Sequence, residues 1–416
     1  MEYLLRSVDR ELDELLALAP AIALDGPKGV GKTDTARRRA TSAWLLDDPA
    51  QQELARADFL LATPPPGTHL IDEWQHVPAV WDAVRRQVDQ GAPAGRFLLT
   101  GSATPHNSRG THSGAGRILS LRMRPMGLHE RGRTSPTVSL GAMLRGEAPV
   151  IAGSTPLGLK DYVDAIVSSG FPGIMGAPPR LRRWLLDAYL GRVIDRDLPD
   201  VGFTVRRPEL LRRWLAAYAA ASSTTTAYAR LLDATTGGDG GQPAKTTTIV
   251  YRDQLTQLWL LDPVPGWLPT NNPLRRLQQA PKHQLADPAL AARLLGLAAE
   301  ALVGPAGAHM TGPLFESLVT LGVRALAQSA EARVSHLRLT GGDREVDLIV
   351  EGPEGQVLGI EVKLAADVRD ADVRHLVWLR DQLPDRVVDL MVVTTGATAY
   401  RRRDGVAVVP LALLGH

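Results

Sequence analysis

The stretch from Asp25 to Asp34, DGPKGVGKTD, constrains this chain more than any other feature of its sequence. Its glycines, lysine and threonine follow the spacing G-x-x-x-x-G-K-[ST], which describes a loop whose backbone N–H groups converge on phosphate oxygens. The apolar run PAIAL precedes the loop, and a segment without Pro or Gly follows it. This order of strand, loop and helix is the one that a phosphate-binding loop requires, and it predicts an α/β sheet around the loop.

The side chains of this loop have distinct predicted roles. Lys32 reaches the β- and γ-phosphates, Thr33 offers a hydroxyl to magnesium, and the positive end of the following helix attracts the phosphates. ATP and Mg²⁺ are therefore the expected ligands. The residues predicted to bind ATP are Gly26, Pro27, Lys28, Gly29, Val30, Gly31, Lys32, Thr33 and Asp34.

A second apolar run, HLIDE, ends in two carboxylates, Asp72 and Glu73. Adjacent side chains on a strand point to opposite sides and can serve different purposes. We predict that Asp72 binds magnesium through a water molecule. We predict that Glu73 orients and deprotonates the attacking water.

Hydroxyl and guanidinium groups complete the predicted site. Thr100 and Ser102 follow the run RFLL, where a hydroxyl either senses the γ-phosphate or caps a turn, and both interpretations stay open. Arg117 and Arg109 are candidates for the cation that stabilises the transition state. If that arginine comes from a second copy, hydrolysis depends on a homo-oligomer.

The composition describes a globular chain of several domains, with 416 residues, 44% of them hydrophobic and 22% charged. The absence of cysteine excludes disulfides and thiolate metal sites. No stretch approaches the length of an apolar membrane span, and the N-terminus, MEYLLRSVDREL, is too charged for a signal peptide. We expect a cytoplasmic protein without a membrane partner. The formal charge of +2 does not by itself indicate a nucleic-acid binder.

The middle of the chain has mostly helical periodicity. After the Gly-rich linker DATTGGDGGQPAK, the segment TTTIVYRDQLTQLWLLDPVPGWLP reads as a helix running into a short strand pair, which predicts a winged helix-turn-helix. Four arginines nearby either contact duplex DNA or serve only solubility. They are Arg206, Arg207, Arg212 and Arg213.

The last third contains half of a nuclease motif, D…E-x-K, at Asp347, Glu361 and Lys363. The runs REVDLIVEG and QVLGIEVKL predict a hairpin, and the alternation of side chains places these three polar groups on one face. Two carboxylates and an ammonium suit a magnesium-activated water that attacks a phosphodiester, with Asp347 and Glu361 as metal ligands. Glu316, on the preceding helix, resembles an additional acid of such nucleases.

Three observations oppose cleavage by this segment. Residues 301–416 carry a net charge of −3, no proline precedes Asp347, and Asp, Glu and Lys readily form a surface ion pair.

Four segments of the chain resemble the AAA-type ATP-binding proteins of bacteria and archaea, which are related to archaeal ATPases with resolvase-like tails. These segments are GPKGVGKT, LIDEWQ, FLLTGSAT and GRILSLRMRPMGLHE. The likeness runs essentially end to end. It implies a P-loop domain of the AAA type with a parallel sheet in residues 1–155, a helical and winged-helix domain in 156–305, and an α/β domain resembling restriction endonucleases in 306–416. It also implies Walker B roles for Asp72 and Glu73 and a sensor at Ser102.

Two functions follow from these features. One is an ATPase that controls a tail acting on duplex or branched DNA. The other is a nucleotide-gated switch that binds a protein partner through a catalytically inert tail.

Overall fold

The structure is a computed structural model, and it describes residues 3–57, 66–101, 115–200, 202–235, 244–268, 280–339 and 341–416. The chain divides into two compact units. The small unit comprises Leu5–Arg124 and Gln254–Leu260. The large unit comprises Met1–Leu4, Pro125–Asp253 and Leu261–His416.

Helices and strands alternate along the described part of the small unit, as the apolar runs predict. In chain order they are α1 (Ser7–Leu16), β1 (Ala21–Asp25), α2 (Lys32–Arg37), β2 (Ser42–Leu45), α3 (Pro49–Ala57), β3 (His69–Asp72), α4 (Ala79–Asp89), β4 (Phe97–Gly101) and β5 (Leu119–Arg122).

These strands form a parallel sheet in the order β2-β3-β4-β1-β5. β1, β3 and β4 are buried along their whole length, which explains why their hydrophobic residues run continuously instead of alternating. The parallel α/β sheet predicted from the sequence is confirmed. The register pairs Asp72 with Thr100 and Asp25 with Gly101, so the carboxyl ends of β1, β3 and β4 meet at one edge. The predicted phosphate-binding loop leaves the sheet at that edge.

From residue 138 onward, the chain first forms mostly helices and then strands with a further helix among them. The described elements are β6 (Val138–Ser139), α5 (Leu140–Leu144), α6 (Leu159–Ser168), α7 (Pro172–Met175), α8 (Pro179–Arg192), α9 (Leu198–Asp200), α10 (Pro208–Ala220), α11 (Tyr228–Ala234), α12 (Lys245–Gln257), α13 (Pro288–Leu294), α14 (Ala299–Val303), α15 (Ala308–Gln328), β7 (Arg333–Arg338), β8 (Glu345–Glu351), β9 (Val357–Lys363), α16 (Asp370–Gln382), β10 (Val387–Thr394), β11 (Tyr400–Arg401), β12 (Ala407–Pro410) and β13 (Leu414–Gly415).

The large unit is built around a mixed sheet in the order β11-β12-β10-β9-β8-β7. β7, β8 and β9 are antiparallel, whereas β9, β10 and β12 are parallel. β8 and β9 form the predicted hairpin, in which Leu348 pairs with Ile360. α15 packs against β7 and β9, and α16 packs against β8, β9 and β10. The hairpin therefore holds its polar residues on a sheet that two helices support.

The short strand pair predicted after α12 is wrong for the residues that the structure describes. Leu261 and Val264 instead form isolated bridges with Leu285 and Lys282. Pro263 and Pro265 flank Val264 and lack the N–H groups that a regular ladder needs. The segment after α12 is thus held at single points and does not extend into a wing within the described residues.

A buried carboxylate, that of Asp287, connects two helical segments of the large unit. Asp287 is fully buried and accepts hydrogen bonds from the Ser169 hydroxyl at 2.7 Å and from the N–H groups of Gly170 at 2.6 Å and Ala289 at 2.8 Å. The last of these bonds caps the N-terminus of α13. The buried Arg131 guanidinium adds electrostatic attraction. Asp287 therefore links α13 to the turn that follows α6.

Replacing Asp287 with alanine should lower the free energy of unfolding of the large unit by about 3 kcal/mol, because three donors and a buried arginine lose their acceptor. Urea unfolding followed by circular dichroism measures this change. Asp187→Ala is the matched control, since Asp187 forms an ion pair with Arg293 at 2.6 Å with its side chain 49% exposed. This control should cost less than about 1 kcal/mol. Equal urea midpoints for the two variants would contradict the role of Asp287.

Candidate functional site

The loop between β1 and α2 has a backbone that only glycine can adopt at two positions. Gly26 has a φ of +154°, and a Cβ atom there would lie 2.2 Å from the carbonyl oxygen of Met123. Gly31, at the start of α2, has a φ of +103°. Side chains at these positions would strain the loop or collide with its neighbour. The glycines of the sequence motif thus shape the cradle that the motif predicts.

Lys32 lies buried at the centre of this loop, with 5% of its surface exposed. Its ammonium donates hydrogen bonds to the carbonyl oxygens of Gly26 at 2.7 Å and Pro27 at 2.9 Å. Burial lowers the pKa of Lys32 to about 8, although the carboxylates of Glu73, Asp25 and Asp72 oppose the decrease. The ammonium is held by neutral carbonyl groups, which phosphate oxygens can replace as stronger partners.

Asp72 connects the loop to the neighbouring strands. The Thr33 hydroxyl, in the first turn of α2, donates to Asp72 Oδ1 at 2.9 Å, and the Thr100 hydroxyl donates to the same oxygen. The carboxylate is buried at the end of β3. The structure therefore brings together the threonine and the aspartate that the sequence predicts as magnesium ligands. Hydroxyl and carboxylate oxygens are the donors that Mg²⁺ prefers, so these residues fit that ion.

Glu73 follows β3 in the left-handed region of backbone space, with φ +53° and ψ +45°. This conformation is uncommon for a residue with a side chain and is typical of functional sites. Its carboxylate accepts a hydrogen bond from the Gln75 side-chain amide. The electrostatic attraction of Glu73 for Lys32 places its charge in the same site as the loop.

Three further residues of the site were not assigned a role from the sequence. The buried Arg6 guanidinium donates to the carbonyl oxygens of Val30 at 2.9 Å and Arg124 at 2.7 Å, which ties the loop to the end of β5. Burial raises the pKa of Asp25 to about 6, although Ser120 and Lys32 oppose the rise. Gln75 could have been found from its position two residues after Glu73. Asp25 directly precedes the first glycine of the motif, whereas Arg6 has no motif that would reveal it.

The remaining predicted residues of this site have different outcomes. Arg117 forms an ion pair with Asp89 at 2.6 Å, with both side chains partly exposed, and its role as an arginine finger stays a prediction. Ser102 and Arg109 lie outside the described residues. Thr100 contacts Asp72, so in this structure its hydroxyl serves the carboxylate that is predicted to bind magnesium.

A second cluster of polar side chains lies in the large unit. The Asp347 carboxylate on β8 accepts from the Val362 N–H at 2.9 Å, and Lys363 donates to Glu361 at 2.9 Å on β9. Asp347 lies close enough to Glu361 to act on it electrostatically. The structure thus brings together the three residues of the D…E-x-K pattern, as the alternation of side chains predicts.

Lys282, which the sequence did not indicate, occupies the centre of this cluster. Its ammonium lies 2.9 Å from Glu316 Oε1, 2.9 Å from Asp347 Oδ1 and 3.3 Å from Glu345 Oε1. Although burial lowers the pKa of Lys282, the three carboxylates hold it above its usual range. Lys282 is therefore charged at neutral pH.

The carboxyl groups of the cluster differ in their affinity for protons. Burial raises the pKa of Glu316 to about 8 and that of Glu361 well above its usual value, and the Asp347 charge adds to both increases. Burial would also raise the pKa of Asp347, but the ammonium groups of Lys282 and Lys363 hold it below its usual value. Asp347 is thus the anion that the two lysines stabilise.

The cluster does not fit a metal ion as it stands, because the Lys282 ammonium fills the space between the carboxylates. In the part of the chain that the structure describes, no group of three or more His, Cys, Asp or Glu side chains is arranged to hold a metal ion. The metal roles predicted for Asp347 and Glu361 therefore receive no support from the geometry.

Comparison with known families gives three matches along the chain. Residues 19–131 match the model of an AAA domain, residues 159–301 match a domain of unknown function (DUF8612), and residues 311–414 match another domain of unknown function (DUF4143). Together with the glycine loop and the parallel sheet, the first match identifies an AAA-type P-loop domain in the small unit.

Two mycobacterial proteins are similar to this chain over most of its length. They are the uncharacterized proteins Rv2008c of Mycobacterium tuberculosis and Mb2031c of Mycobacterium bovis. Each is 25% identical to it over 97% of this chain and 83% of its own length.

Similar solved structures include a Walker-type ATPase of Pyrococcus abyssi, PABY2304, and a variant of RuvB from Thermotoga maritima. The first is 14% identical with a TM-score of 0.40, over 69% of this chain and 94% of its own. The second is 17% identical with a TM-score of 0.26, over 62% of this chain and 89% of its own.

In the described residues, no helix is long and apolar enough to cross a membrane.

Replacing Thr100 with valine should weaken magnesium-dependent nucleotide binding about tenfold, because Asp72 loses one of its two hydroxyl donors. Titration with a fluorescent ATP analogue, with and without Mg²⁺, measures the change. Thr100→Ser keeps the hydroxyl and should bind nearly as the wild type does. If valine and serine bind equally well, the Thr100 hydroxyl does not position Asp72.

Proposed function

We propose that this protein binds and hydrolyses ATP in a magnesium-dependent reaction at the P-loop of its small unit. The supporting observation is the convergence of Lys32, Thr33 and Asp72 at one edge of the parallel sheet, with Glu73 following the same strand. The match of this region to an AAA domain points to the same class of activity. The two parts of the proposal, binding and hydrolysis, involve different residues.

Binding depends on the loop and on Lys32. The N–H groups of the loop and of the first turn of α2 hold phosphate oxygens, and the Lys32 ammonium exchanges its carbonyl partners for the β- and γ-phosphates. Thr33 and Asp72 would hold Mg²⁺, which neutralises phosphate charge when it is bound. Arg6 keeps the loop in shape through its bond to the Val30 carbonyl.

Hydrolysis depends on Glu73. Its carboxylate orients the attacking water and accepts a proton from it. Gln75 holds this carboxylate by a hydrogen bond, so the amide fixes its direction. In this proposal Ser102 senses the γ-phosphate, and Arg117 or Arg109 supplies the positive charge for the transition state. An arginine supplied by a second copy would make the active form a homo-oligomer.

Substitutions of Lys32 and Glu73 should separate binding from hydrolysis. Lys32→Ala should weaken ATP binding at least tenfold, because the phosphates lose the ammonium at the centre of the loop. Glu73→Gln should bind ATP normally and lower phosphate release at least a hundredfold, because an amide cannot accept the proton. Isothermal titration calorimetry and a phosphate-release assay measure the two effects.

Lys160→Ala is the matched control, because this lysine is exposed on α6 of the large unit. Its affinity and turnover should equal those of the wild type. Normal turnover in a protein that carries both Lys32→Ala and Glu73→Gln would remove the assignment.

For the large unit, the geometry opposes cleavage of DNA by the residues of the D…E-x-K pattern. A DNA-acting tail would draw on Asp347, Glu361 and Lys363, but the Lys282 ammonium lies among the carboxylates. Among the four arginines proposed to contact duplex DNA, Arg212 pairs with Glu209 at 2.9 Å. We propose that the nucleotide state of the small unit controls binding of a protein partner, and that the tail does not cleave DNA.

Supercoiled, linear and branched DNA incubated with Mg²⁺ or Mn²⁺ should therefore remain intact, with the wild type indistinguishable from Asp347→Ala and Lys363→Ala. DNA affinity should be weak, and ATP turnover should be unchanged by any of the three DNA forms. Agarose gels, anisotropy over a salt series and the phosphate-release assay measure these properties. Nicking that Asp347→Ala abolishes, or an affinity that falls steeply with added salt, would instead establish a DNA-acting tail.

A further inference from the structure

The Lys282 cluster is unusual because a buried ammonium is surrounded by carboxylates from separate elements. Glu316 comes from α15, whereas Glu345 and Asp347 come from β8. The side chain of Lys282 is 1% exposed, and those of Glu316 and Asp347 are 15% and 14% exposed. The three oxygen atoms lie 2.9 to 3.3 Å from the nitrogen. The cluster therefore satisfies one central cation with several carboxylate oxygens.

The backbone around Lys282 fixes the ammonium in this position. Lys282 and Val264 exchange two backbone hydrogen bonds of 2.9 Å, and the His283 N–H donates to the Thr224 carbonyl at 2.9 Å. The Ala280 carbonyl oxygen lies 2.9 Å from His336 Nε2 on β7. The lysine is thus anchored on both sides by chain that packs in the large unit. This backbone places the ammonium among the carboxylates.

Carboxylate oxygens, the groups that surround Lys282, are also common ligands of divalent metal ions. Magnesium, manganese and calcium bind carboxylate oxygens, commonly from several acidic side chains. Asp347 Oδ1 and Glu316 Oε1 both contact Lys282. Without an ammonium these acids would repel one another in a buried site. Without the ammonium, the acids would therefore have to bind another cation or take up protons.

We propose that Lys282 is a built-in cation that takes the place of a divalent metal ion in the acid cluster of the large unit and excludes such an ion from it. Removal of the ammonium turns the cluster into a site for Mg²⁺ or Mn²⁺. This inference concerns the large unit and does not depend on ATP hydrolysis.

Lys282 also connects two parts of the chain that match different families. The lysine belongs to the region that matches DUF8612, whereas all the acids belong to the region that matches DUF4143. The ammonium therefore forms ion pairs that hold these two regions of the large unit together. A metal ion could also neutralise the acids. It would not link them to the DUF8612 region, whereas Lys282 does so because it is part of that region of the chain.

The test compares the wild-type chain with Lys282→Met, which keeps the length of the side chain and removes its charge. Without metal, Lys282→Met should unfold about 10 °C below the wild type, because the buried carboxylates lose their cation. Five millimolar MnCl₂ should restore at least half of this loss, whereas it should leave the wild type unchanged. Differential scanning calorimetry without nucleotide measures both values, and electron paramagnetic resonance counts the bound Mn²⁺.

Two further variants show whether the response to Mn²⁺ depends on this lysine and on its acidic partner. Lys245→Met removes an exposed lysine at the start of α12 and should behave as the wild type does. Lys282→Met combined with Asp347→Asn should lose the response to Mn²⁺, because an essential carboxylate is gone. Stabilisation of the double variant by Mn²⁺ to the same degree would overturn the proposal.

The wild-type chain provides a measurement that does not require Lys282→Met to fold. Mn²⁺ binding to the nucleotide-free wild type that disappears in Asp347→Asn would overturn the proposal, since the cluster would then accept metal beside the lysine. Folding of Lys282→Met with full stability and no response to Mn²⁺ would also overturn it. Absence of Asp347-dependent Mn²⁺ binding in the wild type supports it.

Discussion

A buried ammonium group must be surrounded by oxygen atoms, because transfer of an uncompensated charge from water into a protein interior costs many kcal/mol. Two of the six lysines in this chain, Lys32 and Lys282, are buried in the described structure, while 41 arginines supply most of its positive charge. Each unit is organised around one of them. The kind of oxygen that surrounds the ammonium decides what each site can do.

Lys32 is held by two neutral carbonyl oxygens of its own loop, and burial lowers its pKa. Such partners are weak compared with phosphate, so the ammonium can exchange them for a ligand. Lys282 is held by three carboxylates, and its pKa is raised. No neutral ligand could displace it without leaving the acids uncompensated. The first arrangement is suited to binding and release, and the second to a permanent structural contact.

The sequence allowed the small unit to be predicted well because its chemistry is local. The residues from Gly26 to Thr33 form their loop within one turn between a strand and a helix, and the apolar runs identify the strands. The position of Asp72 beside Thr33 follows from the order of parallel strands, whose carboxyl ends meet at one edge. Arg6 was not predictable, because it reaches Val30 across 24 residues without any periodicity or motif. The prediction of a strand pair after α12 was wrong for the described residues, because Pro263 and Pro265 lack the N–H groups that a regular ladder needs.

The D…E-x-K pattern shows why a motif can specify geometry without specifying chemistry. Alternation along β8 and β9 brings Asp347 and Glu361 together whether a metal ion or an ammonium neutralises them. The deciding group is 65 residues away from Asp347 in sequence, on a segment that forms isolated bridges with Val264 and Leu261. Since a lysine and a divalent ion satisfy the same carboxylates, acidic residues alone cannot distinguish a nuclease from a stable scaffold. The cation at the centre makes that distinction, and here the chain supplies it.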